Sequence, residues 1–395
     1  MNKKEKYILM NKNKEVLSFF VNLHNSIKFE VIERLGSVDL LPYKMKDSST
    51  NEELSVSLMK FFNGRAIANN RYDYEDILKA TNSKNSFELV FKGHGLSLID
   101  HFWFKKENES LKYEDINFFT NKWDDTFGRA VLAHDYETLK KASLEVPDLT
   151  TTGWACKGWI YDNGPVLYKL GNSKDRYEEP IVEVLASRLA NRIFAPGDVL
   201  KYELKEMNGK YISTSRVMIG IDEELVPLAS VLPASFNDIY RNIDLDKKEL
   251  RRFFNIASQS NIPGLKEFFV KLMCLRSLCF TNDLHFNNIS MIRNLKTNEM
   301  RLAPLYDLAS SFGSSANGRA FLSNLNKGSY IIIYFVYGNL DPNWDYSWYD
   351  PDKLIGFEDE IREYLSKSDF YTDTLINNII DVYKVQKRYL DANKK

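Results

Sequence analysis

Four polar side chains in the C-terminal half stand at intervals that suit one type of chemistry. Asp283 is followed two residues later by His285 and five residues later by Asn288, and a second acid, Asp307, follows a short apolar run. A carboxylate can orient or deprotonate an attacking hydroxyl, and amide and carboxylate oxygens are ligands that Mg²⁺ prefers. The pattern therefore predicts phosphoryl transfer, with Asp283 as the base, Asn288 and Asp307 as metal ligands, and His285 bracing the loop.

The segments on either side of these residues predict how they are brought together. Apolar residues recur every three or four positions from Leu265 to Cys279, which predicts a buried helix that ends just before Asp283. Ser290–Ile292 and Met300–Ala303 enclose the turn-forming segment Asn294–Asn298, which predicts a hairpin that returns the chain to the second acid. These apolar flanks argue against the alternative that the polar pattern arose by chance.

A second group of residues lies upstream, where a nucleotide would have to be held. Residues 150–158 form a loop of small residues, and Trp159–Tyr161 and Val166–Lys169 are strand-like segments joined by an Asp-Asn-Gly turn. Lys169 lies on the returning strand, where a compact positive charge can contact nucleotide phosphates. Glu183 opens an apolar helical pattern, and we predict that it pairs with Lys169.

The residues around Asp283 and Asp307 resemble those of the HipA-like serine/threonine kinases. The catalytic loop of that family has the form N-x-D-x-H-x-x-N, and its second metal acid lies in a P-x-Y-D segment, which Pro304–Asp307 matches. The resemblance implies that Asp283 is the catalytic base and that Asn288 and Asp307 bind the metal. One position departs from the pattern, because Thr281 stands where the family has the first Asn of the loop.

The upstream loop is similar to the phosphate loop of the same family, which reads roughly G-A-Q-x-K. Gly153 and Lys157 match the two ends of that pattern, whereas the Gln is absent. The resemblance implies that Gly153, Lys157 and Lys169 contact ATP, that Mg²⁺ accompanies it, and that Glu183 is the glutamate that pairs with the lysine. Glu179 stays an alternative partner for Lys169, and an ordinary surface hairpin stays the alternative for the whole segment.

The resemblance also implies a fold class and a domain organisation. The fold would be α+β, a bilobal protein-kinase-like fold with a small β-rich N-lobe, a mainly helical C-lobe and an accessory N-terminal region. The boundaries would be residues 1–145 for the accessory region, 146–222 for the N-lobe and 223–395 for the C-lobe. The accessory region carries no chemical signature, and it contains a candidate strand at Glu88–Phe91 and an amphipathic helix at Leu54–Phe62.

Most of the C-terminal half is predicted to be helical. Apolar spacing indicates helices in Asp246–Ala257 and Asp373–Leu390. Ala309–Gly318 is rich in small polar residues just past Asp307, which is typical of an activation segment. The eight residues Tyr330–Tyr337 are too few to cross a membrane and are predicted to be core.

The composition fits a soluble cytoplasmic enzyme. The chain has 395 residues, of which 44% are apolar, and its 53 Lys and Arg against 54 Asp and Glu give a formal charge of -1. This balance argues against direct nucleic-acid binding. We expect a cytoplasmic protein, because no apolar run reaches the length of a membrane span, no signal peptide is recognisable, and three Cys make no even disulfide framework. A zinc site at Cys274, Cys279 and His285 is a weaker alternative, since a fourth ligand is missing.

Together these features predict an ATP- and Mg²⁺-dependent kinase that phosphorylates Ser or Thr on a protein substrate. The family resemblance further implies a toxin-type kinase with an antitoxin-type partner protein, and autophosphorylation just before the phosphate loop, where Thr150–Thr152 stand. Negative charge added there would repel nucleotide. Two alternatives stay open. One is a small-molecule or lipid kinase, although the chain lacks a basic amphipathic segment for membrane binding. The other is a catalytically silent nucleotide-binding module that acts through a partner protein.

Overall fold

The chain is an α+β protein, as predicted, and it divides into two compact units. The computed structural model describes residues 5–23, 27–171, 178–232, 254–255, 262–281, 288–314, 319, 322 and 340–394. Unit 1 comprises Met1–Ser173, Ile219–Leu225 and Asn294–Thr297, and unit 2 comprises Lys174–Met218, Val226–Arg293 and Asn298–Lys395. The domain boundaries that follow residues 145 and 222 stay a prediction.

Some of the sequence predictions fall on residues outside the described ranges. These are Asp283 and His285, the core segment Tyr330–Tyr337, and most of the helix predicted at Asp246–Ala257.

An antiparallel sheet of four strands forms the beginning of unit 1, in the order β3-β2-β1-β4. The strands are β1 (Glu5–Asn11), β2 (Lys14–Asn22), β3 (Lys28–Arg34) and β4 (Phe102–Lys106). Helix α1 (Asn51–Asn63) packs its apolar side against this sheet, and the rings of Phe29 and Phe62 stack 5.0 Å apart. The helix begins with a capping box between Thr50 and Glu53, and it confirms the amphipathic helix predicted at Leu54–Phe62.

Five further helices of unit 1 follow: α2 (Tyr74–Ala80), α3 (Ser86–Lys92), α4 (Tyr113–Ile116), α5 (Thr126–Ala133) and α6 (Tyr136–Leu139). The strand predicted at Glu88–Phe91 is wrong, because these residues lie within α3. Four residues are too few to distinguish the period of a strand from that of a helix. The Asn85 side chain, which accepts a hydrogen bond from the Glu88 N–H at 3.0 Å, caps the helix.

The hairpin predicted around Lys169 is present. It consists of β5 (Cys156–Tyr161) and β6 (Pro165–Gly171), which pair antiparallel. Asn163 and Gly164 both have positive φ angles, of 50° and 114°, as a tight turn between two strands requires. The Asp162 N–H donates to the Gly164 carbonyl at 3.0 Å and closes this turn.

Unit 2 is built mainly from helices around one core. Its elements are α7 (Glu179–Ile193), the hairpin β7 (Tyr202–Met207) and β8 (Lys210–Arg216), α8 (Leu265–Cys279), α9 (Phe357–Leu365) and α10 (Asp373–Asn393). Helices α8 and α10 confirm the helices predicted at Leu265–Cys279 and Asp373–Leu390. Leu189 of α7, Leu275 of α8 and Ile379 of α10 are fully buried in the shared core. Across the described ranges, no helix is long and apolar enough to span a membrane.

A short strand, β9 (Glu223–Pro227), precedes the hairpin formed by β10 (Ser290–Asn294) and β11 (Met300–Leu302). Met291 lies opposite Leu302 in this hairpin, which confirms the one predicted around Asn294–Asn298. The turn of the hairpin belongs to unit 1, where the Lys296 ammonium lies 2.6 Å from the Asp222 carboxylate. Lys12 also pairs with Asp222, and hydrogen bonds from Lys12 and Lys296 lower the pKa of this carboxyl to about 2.

Candidate active site

Asn288 lies at the open end of the β10–β11 hairpin. The Ala303 N–H donates to the Ser290 carbonyl at 2.8 Å, which continues the pairing of the two strands past the end of β11. Asn288 lies two residues before Ser290, just outside the paired strands. Its half-buried side chain offers a neutral carbonyl oxygen at this end of the hairpin.

Hydroxyl groups fix the chain around Asp307 at the same end. The Tyr306 and Ser290 hydroxyls are 2.8 Å apart, and the Asp307 N–H donates to the Tyr202 hydroxyl at 3.1 Å. Burial raises the pKa of Tyr306 to about 12, so this phenol keeps its proton at neutral pH. Asp307 has a φ of 60°, a left-handed conformation that is uncommon for a residue other than glycine. The contact between Ser290 and Tyr306 thus joins the chain just after Asn288 to the chain just before Asp307.

The predicted base Asp283 and the predicted bracing residue His285 lie outside the described residues, so their roles stay predictions. The chain enters that segment from the end of α8. Phe280 adopts a left-handed conformation there with a φ of 56°, and Thr281, which departs from the family pattern, is buried.

The loop before β5 combines a glycine and a lysine in close contact. Gly153 has a φ of 92°, and a Cβ atom added at this position would lie only 2.7 Å from Lys157 Nζ. The absence of a side chain therefore leaves the room that the ammonium group occupies. A loop backbone with an ammonium group beside it can receive an anion such as phosphate.

Lys157 and Lys169 lie directly opposite each other in the β5–β6 hairpin. Opposite residues of an antiparallel pair share one face of the sheet, so the two lysines concentrate positive charge there. Lys169 is 8% exposed, and Lys157 is half-buried. Both ammonium groups would attract a polyanion bound on that face.

Glu183 lies in the second turn of α7 and not at the start of the helix, where the sequence pattern placed it. Its side chain is fully buried and accepts a hydrogen bond from the Ser213 hydroxyl at 2.5 Å. Glu179, the alternative, begins the helix and is also buried. The pairing of Lys169 with either glutamate stays a prediction.

Three supporting residues of the candidate site were not recognised in the sequence. Tyr202, Ser290 and Tyr306 orient the backbone that carries the candidate metal ligands. Tyr306 stands inside the P-x-Y-D segment, so its position was a usable signal. Tyr202 is separated from Asp307 by 105 residues and gave no local signal.

The cysteines of the zinc alternative are buried in α8. Burial raises the pKa of the Cys279 thiol to about 12, and its sulfur donates to the Leu275 carbonyl at 3.1 Å. A neutral thiol bonded in this way is a core residue, since zinc binds the thiolate. No group of three or more His, Cys, Asp and Glu is arranged to hold a metal ion in the part of the chain that the structure describes.

Comparison with solved structures identifies the fold. The chain is similar to HipA in the Shewanella oneidensis MR-1 toxin–antitoxin complex of HipA, HipB and operator DNA, with a TM-score of 0.56 and 12% sequence identity over 98% of this chain and 99% of that chain. It is also similar to the Helicobacter pylori proinflammatory kinase CtkA, with a TM-score of 0.45 and 14% identity over 61% of this chain and 91% of that chain. No family model and no curated protein sequence matches the chain.

The chain therefore has the HipA-like kinase fold along almost its whole length. This confirms the fold that the loop residues implied. At such low identity the likeness concerns the fold, and the activity has to be argued from the site.

Replacing Gly153 by alanine tests whether the loop holds a nucleotide. The added methyl group would displace the Lys157 ammonium, so we expect the Kd for Mg·ATP, measured by isothermal titration calorimetry, to rise about tenfold. Gly209→Ala is the matched control, because Gly209 also has a positive φ, of 72°, but nothing lies within 4 Å of the added Cβ. Both variants should lose about 1 kcal/mol of stability through backbone strain. Equal Kd values for the two variants would contradict a phosphate-binding role for this loop.

Proposed function

We propose that this chain is an ATP- and Mg²⁺-dependent serine/threonine protein kinase of the HipA-like type. The observation that supports the proposal is the 2.8 Å contact between the Ser290 and Tyr306 hydroxyls, two residues after Asn288 and next to Asp307, in a chain with the HipA-like kinase fold. One carboxylate and one amide oxygen are a typical protein contribution to a Mg²⁺ site that otherwise uses water and phosphate. The donor set therefore fits magnesium.

Each remaining residue has a role that its chemistry supports. Bound Mg²⁺ would neutralise charge on the nucleotide phosphates. Lys157 and Lys169 would attract those phosphates, and the backbone at Gly153 would leave space for them. Glu183 would orient Lys169 by pairing with it.

In the catalytic loop, Asp283 would accept the proton of the attacking hydroxyl, as a general base does. His285 would brace the loop around it. Nucleophile and leaving oxygen would thus be aligned by residues from two separate segments, and alignment is the larger part of catalysis in phosphoryl transfer.

The phosphate acceptor that we propose is a Ser or Thr hydroxyl on a protein. We also propose a toxin-type role with an antitoxin-type partner, since the similar Shewanella protein was solved with HipB and operator DNA. The same complex contains operator DNA. It therefore gives no support to the expectation, drawn from net charge, that this chain does not bind nucleic acid directly. A small-molecule or lipid kinase and a silent nucleotide-binding module stay the alternative functions.

Asp307→Asn removes the negative charge of the proposed metal ligand and keeps its shape. With radiolabelled ATP, we expect wild-type protein to transfer label to protein Ser or Thr, and the variant to transfer at least about 100-fold less, since the metal loses its anionic ligand. Asp198→Asn is the control, because the Asp198 side chain is exposed and only its backbone carbonyl, which accepts from the Leu305 N–H at 2.8 Å, supports this segment.

Three other results of this experiment would each point elsewhere. Nucleotide binding by wild type without any label transfer would favour the silent module. Label that appears only on a small molecule or a lipid would favour the corresponding alternative kinase. Equal transfer by wild type and Asp307→Asn would refute the assignment of Asp307.

Autophosphorylation, if it occurs before the phosphate loop, should fall on Thr152. Thr150 and Thr151 are buried, and their hydroxyls donate to the carbonyls of Leu96, at 2.7 Å, and Pro147, at 3.2 Å. Thr152 is half-buried and lies next to Gly153, where added phosphate would repel nucleotide. Mass spectrometry after incubation with ATP should find phosphate on Thr152, and its absence from all three threonines would contradict autophosphorylation here.

A further inference from the structure

Side chains form hydrogen bonds with the backbone along the outer edge of strand β5. This strand carries Lys157 and pairs with β6 along its other edge. Three hydrogen bonds are made on the outer edge: Arg71 Nη2 donates to the Lys157 carbonyl at 3.3 Å, the Trp159 N–H donates to Asp148 Oδ1 at 2.9 Å, and the Tyr161 N–H donates to Asp125 Oδ2 at 3.1 Å. Ionisable side chains thus take the place of a neighbouring strand.

The backbone of β5 also lies very close to the backbone of α5 at this edge. A Cβ atom added at Gly158 of β5 would lie 2.6 Å from the carbonyl oxygen of Gly128 in α5. A Cβ added at Gly128 would lie 2.6 Å from the Trp159 carbonyl oxygen. The two backbones can come this close only because both residues are glycines. Their approach leaves little space for water beside the strand.

The ionisable groups on this edge are deeply buried. Arg71 is 3% exposed and pairs with Asp73, with the closest contact at 2.6 Å. Asp148 is also 3% exposed, and its Oδ2 atom has no hydrogen-bond partner among the described residues. Burial raises the pKa of Asp148 to about 7, although the Trp159 N–H and the Arg71 charge favour the ionised form. Burying such groups costs stability, and apolar side chains would cover a strand at lower cost.

We propose that Arg71, Asp125 and Asp148 are positioning residues that fix β5, so that the Lys157 ammonium stays beside Gly153 and opposite Lys169. This inference rests on the proposed function, because it takes nucleotide phosphates as the ligand of Lys157. Two of the three residues belong to the sequence region 1–145, for which the sequence indicated no chemical role. The inference gives that region a part in nucleotide binding.

The main test compares Arg71→Lys with Arg65→Lys. Arg65 forms a buried ion pair of the same kind with Asp100, with Nη2 2.6 Å from Oδ1, and donates to the Gly95 carbonyl at 2.9 Å, away from β5. Lysine keeps the charge in both variants but replaces the planar guanidinium, with its several N–H donors, by one ammonium group. For both variants we would measure two quantities: the rate of amide hydrogen exchange in peptides covering residues 153–161, and the Kd for Mg·ATP.

We expect exchange in that segment to become about tenfold faster in Arg71→Lys than in Arg65→Lys, together with a Kd about tenfold higher, as loss of one charge-assisted hydrogen bond predicts. Equal exchange in the two variants would overturn the proposal. Faster exchange with an unchanged Kd would also overturn it, because the three residues would then stabilise the fold alone. If wild type bound no nucleotide, the proposed function would fail, and the exchange comparison would still decide whether these residues fix β5.

A second pair of variants covers the case in which Arg71→Lys does not fold. Asp125 is half-buried, and Asp125→Ala removes the acceptor of the Tyr161 N–H. The control is Arg129→Ala. It removes the ion pair between Arg129 and Asp125, whose nearest atoms are 2.7 Å apart, but keeps the Asp125 carboxylate that accepts from the Tyr161 N–H. Faster exchange and a higher Kd in Asp125→Ala alone would support the proposal, and identical behaviour of the pair would overturn it.

Discussion

The pairing of β10 with β11 brings the chain that follows Asn288 and the chain that leads to Asp307 to the same end of one hairpin. A shift by one residue would turn every side chain of a strand to the other face and would break the 2.8 Å contact between the Ser290 and Tyr306 hydroxyls. The Leu305 N–H donates to the Asp198 carbonyl at 2.8 Å, and the Leu200 N–H donates to the Leu305 carbonyl at 2.9 Å. These bonds hold the segment in which Asp307 adopts its left-handed conformation, so local strain is offset by the surrounding backbone.

The β5–β6 hairpin holds two positively charged side chains close together. Lys157 and Lys169 lie opposite each other on one face of the hairpin, where both ammonium groups would attract an anionic ligand. A strand with a free edge could twist and separate the two ammonium groups. The side chains of Arg71, Asp125 and Asp148 bond that edge, so the charge is kept where phosphate would bind. Preorganisation of this kind increases affinity, because ordering is complete before the ligand arrives.

Features that depend on neighbouring residues were predictable from the sequence. The two hairpins, the helices at Leu265–Cys279 and Asp373–Leu390, and the return of the chain to Asp307 follow from apolar spacing and from turn-forming Asn and Gly residues. The strand predicted at Glu88–Phe91 failed because the segment is short and the cap at Asn85 favours a helix. The bond from Arg71 to Lys157 joins residues 86 positions apart, and no local pattern encodes it. The HipA-like fold was inferred from loop motifs, and the comparison with the Shewanella structure confirmed it.

The most direct test of the account is a crystal structure of the protein with Mg²⁺ and a non-hydrolysable ATP analogue. We predict a metal ion bound by the Asn288 and Asp307 side-chain oxygens at about 2.1 Å, with nucleotide phosphates in contact with Lys157 and Lys169. A nucleotide bound elsewhere, or a metal ion held by other side chains, would contradict the account.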